Sequence, residues 1–508
     1  MITPQYLTNT SPKVFRPIHL LPVLIFLCLA LYKTVTTSLW LDEIMALDFC
    51  DGSIKEMMVE LQRDVHAPLF YVILFFFIKV FGIAEWTGRI PAILSGAGTV
   101  AALYFLAREV RNIRMGILAS LILAISPFFI EFSREIHPYS LTALFAVLSW
   151  FWFIRVIKRG KSRDAILYSL ASACMILTFY LGIIIVLSQL LLLIFLRLSR
   201  RKRRAIFYAM IGAVCLFSVW LPTFIRQLMA NKISNAVEVY FPKGIQPTHI
   251  IYLLSDVFLG TSARQLRMTI PGAFIALISV LTFFILIRKT PVSGITKRTF
   301  SLSSLMPLWL FWSPFLLFTL LCLFKPLYLS RYFTMGAPFA ALLIAAALEK
   351  TGGKKSLFIL APLVILWFVS YGAYIKSLPR EDWRGTANYL ATRMGTQDVV
   401  VADAITAASC LDYYLALLGR QDLTQNVFTF EQFYKTTQGR FPFPERRLWY
   451  LWRNVVYTAD TKWTNTRQLE LIQQENTFIE RRKFLKGFAL ISFKGGKPSM
   501  QTNKTDLH

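Results

Sequence analysis

The sequence predicts a polytopic α-helical membrane protein, with about eleven transmembrane helices, outer juxtamembrane helices and a small C-terminal α/β domain. Three observations predict it. Of 508 residues, 56% are hydrophobic, only 16% are charged, and 43 are phenylalanine. A soluble chain of this length carries more charge and fewer long apolar runs. Apolar stretches approaching the roughly 20 residues that a span needs recur from residue 19 to residue 375. Beyond that point the pattern changes to short strand-like and helix-like segments.

The spans are expected near 19–39, 89–107, 114–131, 138–156, 164–180, 182–196, 205–225, 269–288, 304–324, 331–348 and 356–375. The net charge of +27 would suit a nucleic-acid partner, but its placement argues against one. The cations cluster between apolar runs: Arg108/Arg111/Arg114, Arg155/Lys158/Arg159/Lys161/Arg163, Arg197 with Arg200–Arg204, Arg288/Lys289/Lys297/Arg298, and Lys350/Lys354/Lys355. That is the positive-inside signature. With every cluster inside, the N-terminus, bearing Lys13 and Arg16, is cytoplasmic and the C-terminal tail extracytoplasmic, in a multi-pass protein of the plasma membrane. The first apolar run is too long for a signal core and lacks a small-residue cleavage site before Trp40, so it is read as a retained span.

The stretch 67–83 would invert every later loop if it crossed. It is short, starts at Pro68 and contains Lys79, so it is read as an interfacial or re-entrant helix on the outer face. Residues 40–88 then form one outer loop, in which Asp42, Glu43, Asp48, Asp51, Glu56, Glu60 and Asp64 outnumber Lys55, Arg63 and Lys79. The expected organisation is a membrane domain over 1–375 and an extracytoplasmic α/β domain over 376–508. In that domain 385–394, 406–419 and 464–474 read as helices, and 398–403, 446–452 and 478–496 as strands. Cys50 and Cys410 fall in aqueous segments; nothing in their spacing favours a bridge.

Ionisable side chains gather at the outer boundary. Asp42 and Glu43 end the first span. His66-Ala67-Pro68 opens the interfacial helix, and Arg89 begins the second span. Glu131, Arg134, Glu135, His137 and Tyr139 lie in one outer turn, and Lys325, Arg331 and Tyr332 in another. Each has an ordinary alternative: a solvated boundary acid, a loop histidine, a snorkelling cation, an aromatic-belt tyrosine. The functional argument rests on their joint placement on one side. The chemistry such a set suits is attack by a hydroxyl on a sugar carried by a lipid phosphate. Asp42, with Glu43 beside it, would take the acceptor's proton. Arg89, Arg331, Lys325 and Arg134 would hold the phosphate and offset the charge that grows as it leaves. His66, Glu135, His137, Tyr139 and Tyr332 would contact substrate. A phosphate leaving group needs no proton, so one base suffices, unlike the acid and base of a glycoside hydrolase.

These residues, in this order, resemble the GT-C glycosyltransferases over about residues 1–390, in the branch containing protein O-mannosyltransferases and the aminoarabinose transferase of lipid A, and within it the bacterial RgtA/B/C/D-like enzymes. Trp40-Leu41-Asp42-Glu43 matches a W-x-D-E-like motif whose Asp is the family's base. Asp64-Val65-His66-Ala67-Pro68-Leu69-Phe70-Tyr71 matches D-x-H-P-P-L-Y-Y, with Ala67 replacing the first Pro. Arg89-Ile90-Pro91-Ala92 matches R-x-P-S. Ser126-Pro127-Phe128 with Ser133-Arg134-Glu135-Ile136-His137-Pro138-Tyr139 matches S-P-F…S-Q-E-A-R-P-Y, with His137 where the family has Arg. Arg331-Tyr332 matches a late R-Y. The resemblance implies a polyprenyl-phosphate-linked sugar donor, and a hydroxyl acceptor on protein, lipid or glycan.

The alternative is a transporter or flippase of lipid-linked saccharide, which should carry paired ionisable groups at mid-membrane and repeated halves; the span centres are nearly free of charge and no repeat is evident. A scaffold would need no clustered acids and cations. No cofactor is demanded, although His66, His137 and the acidic loop leave a divalent cation open.

Overall fold

The computed structural model describes residues 17–196, 198–230, 247–262, 302–324, 327–351, 353–378, 381–403, 405–437, 447–453, 465–483 and 488–495. The chain divides into two compact units, Met1–Val35 with Phe49–Lys376, and Thr36–Asp48 with Ser377–His508.

The first unit is helical. Its elements are α1 (Leu21–Leu31), the end of α2 (Leu41–Asp51), α3 (Ile54–Arg63), α4 (Leu69–Phe81), α5 (Glu85–Val110), α6 (Ile113–Ala124), α7 (Pro127–Ser133), α8 (Tyr139–Arg159), α9 (Ser162–Thr178), α10 (Ile183–Phe195), α11 (Arg200–Ser218), α12 (Leu221–Met229), α13 (Pro247–Leu259), α14 (Leu302–Phe324), α15 (Ala337–Thr351) and α16 (Gly353–Lys376). Among the described residues, four helices are long and apolar enough to cross a membrane: Glu85–Val110, Tyr139–Arg159, Leu305–Phe324 and Ser330–Thr351. Two bent pairs raise this to six, α6 with α7 at 64° and α11 with α12 at 70°. Each bend falls where a proline, Pro127 or Pro222, occupies the first turn of the second helix. Proline has no N–H to continue the preceding ladder, but it fits a helix start. Three further expected spans meet shorter apolar helices, Leu21–Leu31, Tyr180–Phe195 and Leu360–Lys376. The expected span at 269–288, the basic cluster from Arg288 to Arg298, and Lys325 lie outside the described residues.

The clusters of charge meet at one end of this bundle. Glu109 pairs with Lys158 and Arg159, Arg111 lies 3.1 Å from Glu349 beside Lys350, and Lys202 Nζ donates to the carbonyl of Lys158. Helices α5 and α8 therefore end together and run parallel. At 21 residues, α8 rises about 31 Å, so its first residue, Tyr139, is a bilayer's core away from the basic end. Near that opposite end Ser140 Oγ donates to the carbonyl of Ala92, 2.8 Å away. Between them α4 has only 13 residues, about 20 Å. It follows the His66 turn and leads back to the start of α5 at that same end. This agrees with a helix that does not cross.

The second unit contains α17 (Trp383–Arg393), β1 (Val399–Ala402), α18 (Ile405–Leu417), α19 (Gln421–Thr424), β2 (Val427–Thr429), α20 (Phe430–Thr436), β3 (Arg447–Arg453), α21 (Asn465–Glu475), β4 (Asn476–Lys483) and β5 (Phe488–Gly495). The sheet order is β2-β1-β3-β5-β4; β1 pairs parallel with β2 and β3, and β5 antiparallel with β3 and β4. Alternation sets its faces. Val399, Val401, Leu448, Tyr450, Ile491 and Phe493 face Phe430, Phe433 and Ile472 of α20 and α21. The expected helices and strands of the tail are present, and the single strand-like run at 478–496 is two strands, β4 and β5. The short elements α19, β2 and α20, too brief for a periodicity, are additional.

Burial pushes the Asp412 carboxyl on α18 up to about 6, and its Oδ1 has no hydrogen-bond partner among the described residues. An unfolded Asp titrates near 4. The folded state thus binds the extra proton between those values, and stability falls as pH rises from about 4 through about 6. Asp412→Asn is expected to raise the thermal unfolding midpoint at pH 7.5 and leave it unchanged at pH 4. Allowing for the solvent that still reaches the group, the gain is about 1 kcal/mol. Scanning calorimetry at both pH values checks it.

Candidate active site

The expected site residues fall in both units. In the first, a polar cluster occupies the end of the bundle where α8 begins. Its floor is the turn between α7 and α8, and Glu131, Arg134, Glu135 and His137 there are each no more than 5% exposed. So much buried charge in an apolar bundle is costly unless it is compensated. Part of the compensation is visible: Thr261 Oγ1 lies 2.8 and 2.6 Å from the two oxygens of Glu131. The Arg134 guanidinium lies over the Tyr374 ring, 5.6 Å from its centroid. Its Nη1, however, has no hydrogen-bond partner among the described residues.

His66 enters from the turn before α4. Its Nδ1 lies 3.0 Å from Asp64 Oδ2, which fixes the ring's orientation. The ring sits 5.9 Å from that of His137, which is 5.0 Å from Tyr139. Tyr139 meets Phe179, Phe179 meets Tyr332 at 5.6 Å, and the Arg331 guanidinium lies 5.8 Å from the Tyr332 ring. His66, His137, Tyr139, Tyr332 and Arg331 are therefore brought into one continuous set of contacts. Arg89 is 5% exposed, and its Nη1 donates to the carbonyl of Thr34 at 3.0 Å, which ties α5 to the chain beyond α1.

The turn at His66 is held from behind. Tyr180 OH accepts from Trp220 Nε1 at 2.7 Å, donates to Gln227 Oε1 at 2.6 Å, and lies 3.3 Å from the carbonyl of His66. Gln227 Nε2 donates to the carbonyl of Leu61 at 2.8 Å. Tyr180 also lines an apolar cavity of about 300 Å³ between α9, α10, α11 and α12, with Tyr168, Leu187, Met210, Phe217 and Phe224.

Sequence reasoning missed Asp256. It is fully buried on α13 and accepts from Ser330 Oγ, next to Arg331. The signal was a lone acid inside the apolar run 250–260. Gly260 follows it at φ +91°, and a Cβ there would meet Ser370 Oγ at 2.9 Å and Pro127 Cβ at 3.0 Å. Glycine alone suits that turn, which aims Thr261 at Glu131.

In the second unit, Asp42 and Glu43 occupy the first turn of α2. They differ in environment. Glu43 is 2% exposed, and its Oε2 accepts from the N–H of Trp40, the residue before the helix, at 3.3 Å. That is the backward half of a capping box, a structural role. Asp42 is half-buried. No group of three or more His, Cys, Asp or Glu is placed to hold a metal ion among the described residues. None of the six cysteines is in a disulfide.

Residues 65–222 match the family of dolichyl-phosphate-mannose-protein mannosyltransferases. No curated protein sequence matches the chain. Among solved structures, ArnT from Cupriavidus metallidurans in the apo state is similar with a TM-score of 0.57 at 13% identity, over 93% of this chain and 97% of that one. The same protein bound to undecaprenyl phosphate gives 0.53 at 13% identity, over the same shares of the two chains. The chain thus has the fold seen in the two ArnT structures, and residues 65–222 resemble the dolichyl-phosphate-mannose-protein mannosyltransferases.

Proposed function

We propose that the protein transfers a sugar from a polyprenyl-phosphate-linked donor to a hydroxyl acceptor at the outer face of the plasma membrane. One observation supports this above the others: a buried guanidinium, Arg134, with an Nη1 that no described residue satisfies. An unmet charged donor costs roughly 1–3 kcal/mol or more, and the phosphate oxygens of a lipid carrier would meet it. Arg331 adds a second cation, and Arg89 and Lys325 are assigned to the same anion. His66, Glu135, His137, Tyr139 and Tyr332 offer the polar and aromatic surface that a sugar takes. The apolar cavity behind Tyr180 suits a prenyl chain, and the similar ArnT structure with undecaprenyl phosphate supports a carrier of that class.

In this reading Asp42 takes the acceptor's proton as its oxygen attacks the anomeric carbon. The bond from that carbon to the phosphate oxygen breaks, and polyprenyl phosphate departs with the electron pair. Glu43 holds the start of the helix. The test uses purified protein in detergent with undecaprenyl-phosphate sugars radiolabelled in the sugar, mannose first, and an envelope extract as acceptor. Transfer of label to the extract with release of undecaprenyl phosphate is the expected result. Movement of intact lipid across reconstituted vesicles, with no release, would establish the flippase instead.

A further inference from the structure

We infer that the C-terminal domain positions the catalytic acid, through Glu381 and Tyr414. The inference rests on the reading of Asp42 as base. Residues 36–48, which contain Trp40-Leu41-Asp42-Glu43, fold as part of the C-terminal unit. The first N–H groups of a helix have no partner within it, and here they are met from two directions. Trp40 N–H is met by Glu43 of the same turn. Leu41 N–H donates to Glu381 Oε2 at 3.1 Å, and the same oxygen accepts from Trp383 Nε1 at 2.6 Å. Glu381 is 8% exposed and Trp383 fully buried, so this carboxylate is locked in place.

Upstream, Tyr414 on α18 is fully buried. Its hydroxyl lies 2.6 Å from Leu39 N and 3.1 Å from Ser38 Oγ, and Arg384 N donates to Ser38 Oγ at 3.3 Å. Four consecutive residues, Ser38 to Leu41, are thus fixed through backbone or hydroxyl by the C-terminal domain or by the helix itself. Asp42 is the next residue. Its Cα cannot shift without breaking the Leu41–Glu381 bond, and the Glu381 charge also suits the positive end of the helix dipole. Glu381 and Tyr414 are positioning residues. A displacement of about 1 Å in a reacting group can cost on the order of 10²-fold in rate.

The test measures turnover and donor KM for release of undecaprenyl phosphate from undecaprenyl-phosphate mannose, on the full chain in detergent with the envelope extract as hydroxyl acceptor. Tyr414→Phe keeps the ring and removes the oxygen. Glu381→Ala removes the acceptor, and Glu381→Gln restores an acceptor oxygen without the charge. Turnover is expected to fall at least about tenfold in Tyr414→Phe and Glu381→Ala, with donor KM within twofold, and Glu381→Gln to recover most of the loss. Either position decides the matter if a variant at the other does not fold. Wild-type turnover in the folded variants, or a loss confined to KM, overturns the positioning role while Asp42→Asn is inactive. Full turnover in Asp42→Asn overturns the base assignment itself, and the positioning role falls with it.

Discussion

Asp42→Asn is expected to reduce sugar transfer by about 10²–10⁴-fold, the usual share of a general base, in a protein that still folds and inserts. Asparagine has the shape of aspartate but cannot accept the acceptor's proton. The structural cost is small. Asp42 lies in the first turn of α2, where a negative charge contributes about 0.3–1 kcal/mol against the helix dipole, a minor fraction of the roughly 5–15 kcal/mol of a folded domain. Glu43→Gln is the matched control. Its amide oxygen can still accept from Trp40 N–H, so turnover should stay within a few-fold of wild type. Released undecaprenyl phosphate gives the rate, and the thermal unfolding midpoint reports folding. Turnover retained in Asp42→Asn but lost in Glu43→Gln would transfer the role of base to Glu43.

Sequence reading succeeded where one element's pattern is set by its own solvent. The apolar runs and the basic clusters are local consequences of where lipid and water lie, whereas the breaks at Pro127 and Pro222 fall inside the runs 114–131 and 205–225, each expected as a single span. The pairing of Glu109 with Lys158 and Arg159, with Lys202 on the carbonyl of Lys158 and Arg111 beside Glu349, gathers four of those clusters at one end of the bundle. The convergence of His66 with His137 was also legible, because both belong to ordered motifs flanking neighbouring helices. Partnerships across long sequence separations were not. Residues 40–48 read naturally as the start of a loop, and nothing in them names Tyr414, which lies 375 residues beyond Leu39. Asp256 and Thr261 were missed for the same reason: an acid and a hydroxyl acquire meaning only from Ser330 and Glu131, which arrive from other helices. Glu43 shows the converse. A sequence places it beside Asp42 as an equal, and only the distance to Trp40 N–H assigns it to the helix cap.

Arg134 makes the second large prediction, and it joins stability to function. A guanidinium 4% exposed with an unmet donor destabilises the protein without ligand, and an unpaired buried charge is among the costlier arrangements in a protein interior. Arg134→Met fills similar volume without charge. It is expected to raise the unfolding midpoint of the ligand-free protein, by the equivalent of about 1–3 kcal/mol, while transfer falls about 10²–10³-fold through loss of the charge that stabilises the departing phosphate. Arg134→Lys keeps the charge but not the forked geometry, so its rate should lie between the two. A binding measurement separates this account from simple damage. Undecaprenyl phosphate should raise the unfolding midpoint of the wild type by mass action and leave that of Arg134→Met unmoved. A variant that keeps its activity, or still gains the same stabilisation from the lipid phosphate, would remove Arg134 from the phosphate site and leave Arg331 to carry it.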